Sequence, residues 1–179
     1  MRWPAYFSLA YVMLGVQLGV GAFAPVRGVG PDLVLIVVVF VALFAPRAEA
    51  MLGGVMLGAM QDLVTLQPLG LFAFAYGAVA WGVSRSAEFV RRGHPLTHLS
   101  FTLIGGIGTG VLMVVHDWIH PVGPAVFAGG TMVVRAIRIG PRTAAVSAVY
   151  TALLAPFLIG PLVRLNHLFG FDHIRRRRG

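Results

Sequence analysis

Apolar residues run along this chain in long blocks, and charged residues mark the gaps between them. No charge lies between Arg2 and Arg27, and a helix that crosses a bilayer takes about 20 apolar residues, so the pattern predicts a first helix over residues 5–25. Asp32 and Arg47 bracket LVLIVVVFVALFAP, a short second helix over 32–46. Its β-branched run also suits a buried strand, but an open strand leaves backbone groups unpaired in lipid. A third helix is expected over 50–66, crossing Asp62, and a fourth over 68–84, after Pro68. The fifth occupies 97–119, and the sixth lies at 143–164, between Arg142 and Arg164. Six spans in one all-α membrane domain covering residues 1–179 is the reading, with five as the alternative if the second and third prove re-entrant.

Composition agrees with that pattern. Hydrophobic residues make up 58% of the 179 and charged residues 11%, against about 25% charged in a soluble domain. The amino terminus imitates a signal peptide, with Arg2, an apolar stretch and Ala22-Phe23-Ala24. A signal-peptide core is only about 7–15 residues, so an uncleaved first helix is expected.

All fourteen basic side chains are Arg, and they decide orientation. With the amino terminus inside, the cytoplasmic side holds Arg2, Arg47, Arg85, Arg91, Arg92, Arg164 and Arg175 to Arg178, and the outer side holds Arg27, Arg135, Arg138 and Arg142. Ten against four puts both termini in the cytoplasm. The net charge of +8 is topological, because the basic residues sit between apolar runs and form no stripe interleaved with aromatics for nucleic acid. Arg175 to Arg178 suit anionic lipid. Residues 120–142 carry Pro and Gly punctuation and then Arg135 and Arg138 on one helical face. That suits either a short helix in the outer interface or a docking surface for a partner.

Small-residue spacing supplies a packing signal. Gly15/Gly19, Gly54/Gly58 and Gly106/Gly110 each form a G-x-x-x-G, which lets helix backbones approach closely in lipid. Packing within the chain is the expectation, with one of the three left for a partner helix.

Candidate chemistry is sparse. With no Cys there is no disulfide, thiolate metal site or Cys nucleophile. The pairs His94/His98 and His116/His120 have i, i+4 spacing, but His98 and His116 lie about 27 Å apart along a helix and cannot build one metal site. H-D-W-I-H lacks the Glu of a zinc protease helix. Of Ser8, Ser84, Ser86, Ser100 and Ser147, none sits in G-x-S-x-G, and Ser147 is expected to bond the carbonyl four residues back. No phosphate-binding loop and no catalytic carboxylate pair is present, so no catalytic, cofactor or metal residue is assigned. Asp62 is the informative acid. A carboxylate inside an apolar tract is costly unless paired or wet, and just before Gln67-Pro68 it could accept hydrogen bonds from the N–H groups opening the fourth helix or pair with a loop Arg.

Three blocks resemble one family. GVGPDLVLIVVVFVALFAPRAEAMLGGVMLG has a Pro-Asp pair leading an apolar helix, then a basic turn and a Gly-rich helix. GAMQDLVTLQPLGLFAFAYGAVAW carries Asp62 and Leu63, a turn, then Leu69 and Gly70. AVYTALLAPFLIGPLVRL carries Pro156 and Arg164. Together they resemble MreD, a family of rod shape-determining membrane proteins, from about residue 28 to 165. The absence of Lys, the His-rich ends of the fifth helix and the long connection before the sixth depart from the family pattern. The resemblance implies a six-helix fold similar to the substrate-binding component of energy-coupling-factor transporters. It also implies partnership with MreC, with RodA, a class B penicillin-binding protein and MreB in the wider complex, and no catalytic reaction. The expected function is a scaffold in control of peptidoglycan synthesis. The alternative is a small-solute or lipid-binding transport component, which needs a polar-lined outer pocket for which the sequence offers few polar side chains.

Overall fold

The computed structural model describes residues 2–23, 30–65, 69–90, 94–119 and 140–165. Arg135, Arg138, His120 and Arg175 to Arg178, with the expected interfacial helix, lie outside the described residues. The described chain forms six helices and no strand: α1 (Trp3–Phe23), α2 (Leu33–Phe44), α3 (Arg47–Thr65), α4 (Leu71–Ser86), α5 (Pro95–Ile119) and α6 (Pro141–Arg164). Each corresponds to one expected element. The boundaries move by a few residues where proline decides, since α5 and α6 begin on Pro95 and Pro141, whose missing N–H and fixed φ cost nothing in a first turn.

α2 is the axis of the molecule. It packs against all five other helices, and every side chain from Leu33 to Leu43 is buried. A helix apolar on all sides needs a complete sheath, and the others supply it. This explains how so β-branched a run remains helical: tertiary burial overrides weak propensity. Its 12 residues extend only about 18 Å, so its ends are short of the bundle's and leave room there.

The sheath is built from two tight pairs, α3 with α4 and α5 with α6. Gly54 and Gly58 face α4: a methyl group on Gly54 would stand 2.8 Å from the Tyr76 carbonyl oxygen, and one on Gly58 would overlap the Phe72 backbone. Across the other pair, Gly106 and Gly110 meet Ala148 and Ala144, so small residues face small residues at the same spacing. Gly15 and Gly19 differ. A methyl group on either has no neighbour within 4 Å, so this third motif faces outward.

Hydrogen bonds between the helices identify the two ends of the bundle. At one end Tyr6 donates to the Gly53 carbonyl, Ser84 donates to Ala42 O at 3.2 Å, and Arg47 pairs with Glu88 at 2.7 Å. The last halves of α1, α3 and α5 and the first turns of α2, α4 and α6 meet at the other. α5 and α6 are long and apolar enough to cross a bilayer. Exposed Ile104, Val111, Trp118, Val149, Leu153 and Phe157 clothe their outer faces.

Candidate functional site

The second end holds an open-mouthed cavity of about 470 Å³ to which all six helices or their first turns contribute, including Gln17 of α1, Asp32 and Leu35 at the start of α2, Gln61 of α3, Phe72 of α4, Thr109 of α5 and Ser147 of α6. Its size lies within the range of about 300–1,000 Å³ usual for ligand pockets.

Asp32 is its hub. It is the N-cap of α2, with one carboxylate oxygen accepting Leu35 N–H at 3.0 Å. The other accepts the Tyr76 hydroxyl at 2.6 Å, and its own N–H donates to Thr151 Oγ1 at 2.8 Å. One residue thereby ties α2 to α4 and α6. Gln17 completes the cap by accepting Val34 N–H at 3.0 Å, which fixes α1 to the same turn. The orphan donors of a first turn need such partners, and three other helices help to supply or hold them here.

Ser147 does not bond the carbonyl four residues back. Its hydroxyl donates to Gly30 O at 3.1 Å, across the bundle to the segment before α2, because α5–α6 packing turns that face of α6 inward. Thr151 makes the i−4 bond instead, donating to Ser147 O at 2.7 Å. Two buried polar atoms near the cavity, Gln61 Oε1 and Thr109 Oγ1, have no hydrogen-bond partner.

Asp62 lies beside the cavity but serves the fold. Only 1% exposed, it accepts Gly70 N–H and Phe72 N–H at 2.9 Å each and Ala73 N–H at 3.3 Å. Gly70, the N-cap of α4, has φ of 100°, a region that glycine enters without the Cβ penalty and that points its N–H at Asp62. Asp62 and Gly70 are therefore two halves of one turn. Their companions Leu63 and Leu69 are exposed and take no part in it. Pro156 lies within α6 together with Pro161, away from the cavity.

Polar side chains form the smaller part of the lining, one each from α1, α3 and α5, Asp32 before α2 and three from α6, and the fold brings them to one level. Asp32 and Gln17 carried no role in the sequence reading. The readable signal was Pro31-Asp32 directly before an apolar run, which is an N-cap signature. His98 and His116 lie at opposite ends of α5, and among the described residues no group of three or more metal-ligating side chains gathers.

No curated protein and no solved structure matches the chain. A family model, described as the rod shape-determining protein MreD, matches residues 1–160. Family and apolar helices together point to a membrane protein with a role in cell shape. The turn built on buried Asp62 and the G-x-x-x-G pairs thus belong to a chain whose match runs through all but the last residues of α6, and this protein is a member of the MreD family.

Proposed function

We propose that this protein is a non-enzymatic membrane scaffold of the wall-elongation complex, that it binds MreC, and that it acts through MreC on peptidoglycan synthesis alongside RodA, a class B penicillin-binding protein and MreB. The observation that carries the reading is the cavity, assembled from all six helices at one end of the bundle. In the proposed topology six helices span the inner membrane, both termini are cytoplasmic and the cavity end faces outward. MreC has a single span and a large part on that outer side, so its segment next to the membrane is the occupant we assign to the cavity. A preformed, hydrogen-bonded receptor reduces the ordering cost of docking.

A second reading takes its support from the same cavity, whose size and mostly apolar lining with a few polar groups suit a small solute or lipid in a fold similar to an energy-coupling-factor binding component. Co-purification separates the two. Stoichiometric full-length MreC retained through size exclusion supports the scaffold, whereas a retained small molecule without MreC supports the transporter.

Topology has its own test. Reporter fusions after Gly179 and within residues 120–134 should report opposite sides of the membrane, and the same side for both would sink the six-span arrangement.

A further inference from the structure

α1 is the least embedded wall of the cavity. Gln17 and Leu18 line one side of the space, and Gly106, Met113, Ala144 and Ser147 of α5 and α6 line another, yet α1 packs extensively on α2 alone. Its two ends are held differently. Near the amino terminus the Tyr6 ring rests on Gly53, where even a methyl group would stand 3.0 Å from the hydroxyl oxygen, and that hydroxyl donates to Gly53 O. Trp3 and Phe7 pack around Tyr6 at centroid distances of 6.0 and 5.7 Å. At the cavity end the tie is a hydrogen bond from Val34 N–H to Gln17 Oε1 at 3.0 Å. Tyr6, Ala10 and Leu14 are buried, whereas Val16 and Leu18 beyond them are exposed, and a methyl group on Gly15 or Gly19 would meet nothing within 4 Å.

That tie is cheap to release. Val34 N–H also bonds the Asp32 carboxylate, the cap of the same turn, so parting from Gln17 leaves no orphan donor. An unmatched buried donor is what makes such a bond costly to break. We infer that α1 is a hinged wall of the cavity, pivoting at Tyr6 and latched to α2 by Gln17. Local opening takes place where few buried contacts must be given up. Tyr6 and Gln17 are eleven residues apart, about 16 Å along a helix, so a tilt of about 15–20° carries Gln17 by about 4–6 Å. Because α1 is an outer helix, that swing opens the cavity towards the lipid, and an occupant enters from the side of the bundle. The device is the same for either occupant, protein segment or small molecule.

The test uses the full chain in nanodiscs and needs no partner. The chain has no Cys, so pairs of nitroxide labels on introduced cysteines report only the chosen distances. Val16→Cys with Val146→Cys spans α1 and α6 at the cavity end, and Ser8→Cys with Leu52→Cys spans α1 and α3 at the hinge; all four positions are exposed. Gln17→Met keeps the side-chain length without the amide, and Gln17→Ala removes both. Each should add a cavity-end population about 4–6 Å longer than that of the unaltered protein, with the hinge-end distance and the melting temperature unchanged. A cavity-end distance that fails to lengthen with Gln17→Met or with Gln17→Ala would overturn the hinge. Lengthening at both ends would overturn it too, because α1 would then be leaving as a whole. Loss of folding in both variants would do the same, by showing that the Gln17 bond is part of the fold and not a latch.

Discussion

Gly58→Leu is expected to abolish accumulation of folded protein, while Gly15→Leu leaves it at normal levels. Each glycine belongs to a G-x-x-x-G motif, so sequence alone does not separate them. Gly58 lies where α3 crosses α4, and even a methyl group there would run into the backbone of Phe72 and Ala73. Backbone cannot move aside as a flexible side chain can. Ordinary overpacking costs about 1–3 kcal/mol, and four added carbons at a backbone contact should exceed that range. α3 and α4 also hold Asp62, Gly70 and Tyr76, so separating them would dismantle the turn and one support of Asp32. Gly54→Leu should fail for the same reason, against Tyr76 O and Ala80 Cβ. Gly15 has open space around it, and exchanging glycine for a good helix former in a helix interior is worth up to about 1 kcal/mol. Membrane-fraction yield and melting temperature of the purified variants measure both arms. A stable, fully accumulated Gly58→Leu protein would show that α3 and α4 do not cross there.

The contrast between those glycines shows what the sequence could and could not say. Helices were legible because lipid-compatible runs are long and charges and prolines punctuate them. Arg47, Pro95 and Pro141 each open a helix, and the hidden acid Asp62 announced itself by standing alone in an apolar tract. Which G-x-x-x-G faces inward depends on helix rotation, which an all-round apolar sequence does not encode: α2 shows no polar face at all. The cavity was illegible for another reason. Gln17, Asp32, Gln61, Thr109 and Ser147 come from five different parts of the chain, and each looks like an isolated polar residue. Only the alternation of helix direction brings them to one level. Ser147 departs from the i−4 carbonyl, the default partner of a helical serine, because its competing acceptor, Gly30, is remote in sequence and reached only through the fold.

Asp62→Ala should produce the largest loss of stability among the single polar substitutions. The carboxylate is the acceptor for three N–H groups around the first turn of α4, of which that of Phe72 is buried and those of Gly70 and Ala73 are partly buried. Alanine would leave these donors unmatched, and an unsatisfied buried donor costs about 1–3 kcal/mol. With one of the three donors buried and two partly reached by water, a total of about 2–4 kcal/mol follows from the same per-group cost, against a total stability of about 5–15 kcal/mol for a typical domain. Asparagine keeps one oxygen. Turned to preserve the pair at Gly70 and Ala73, it presents its NH₂ to Phe72 N–H, donor against donor, so roughly half of the loss should remain. The expected order of melting temperature is therefore unaltered protein, then Asp62→Asn, then Asp62→Ala, with rod-shape complementation following the same order. A proton-carrying carboxylate predicts another pattern, because asparagine would then keep the fold and lose function as completely as alanine. Melting curves and complementation for both variants, side by side, distinguish the two. If both proteins melt like the unaltered one while rod shape is lost, Asp62 is titrating or touching a partner, and its hydrogen bonds to α4 are incidental to its role.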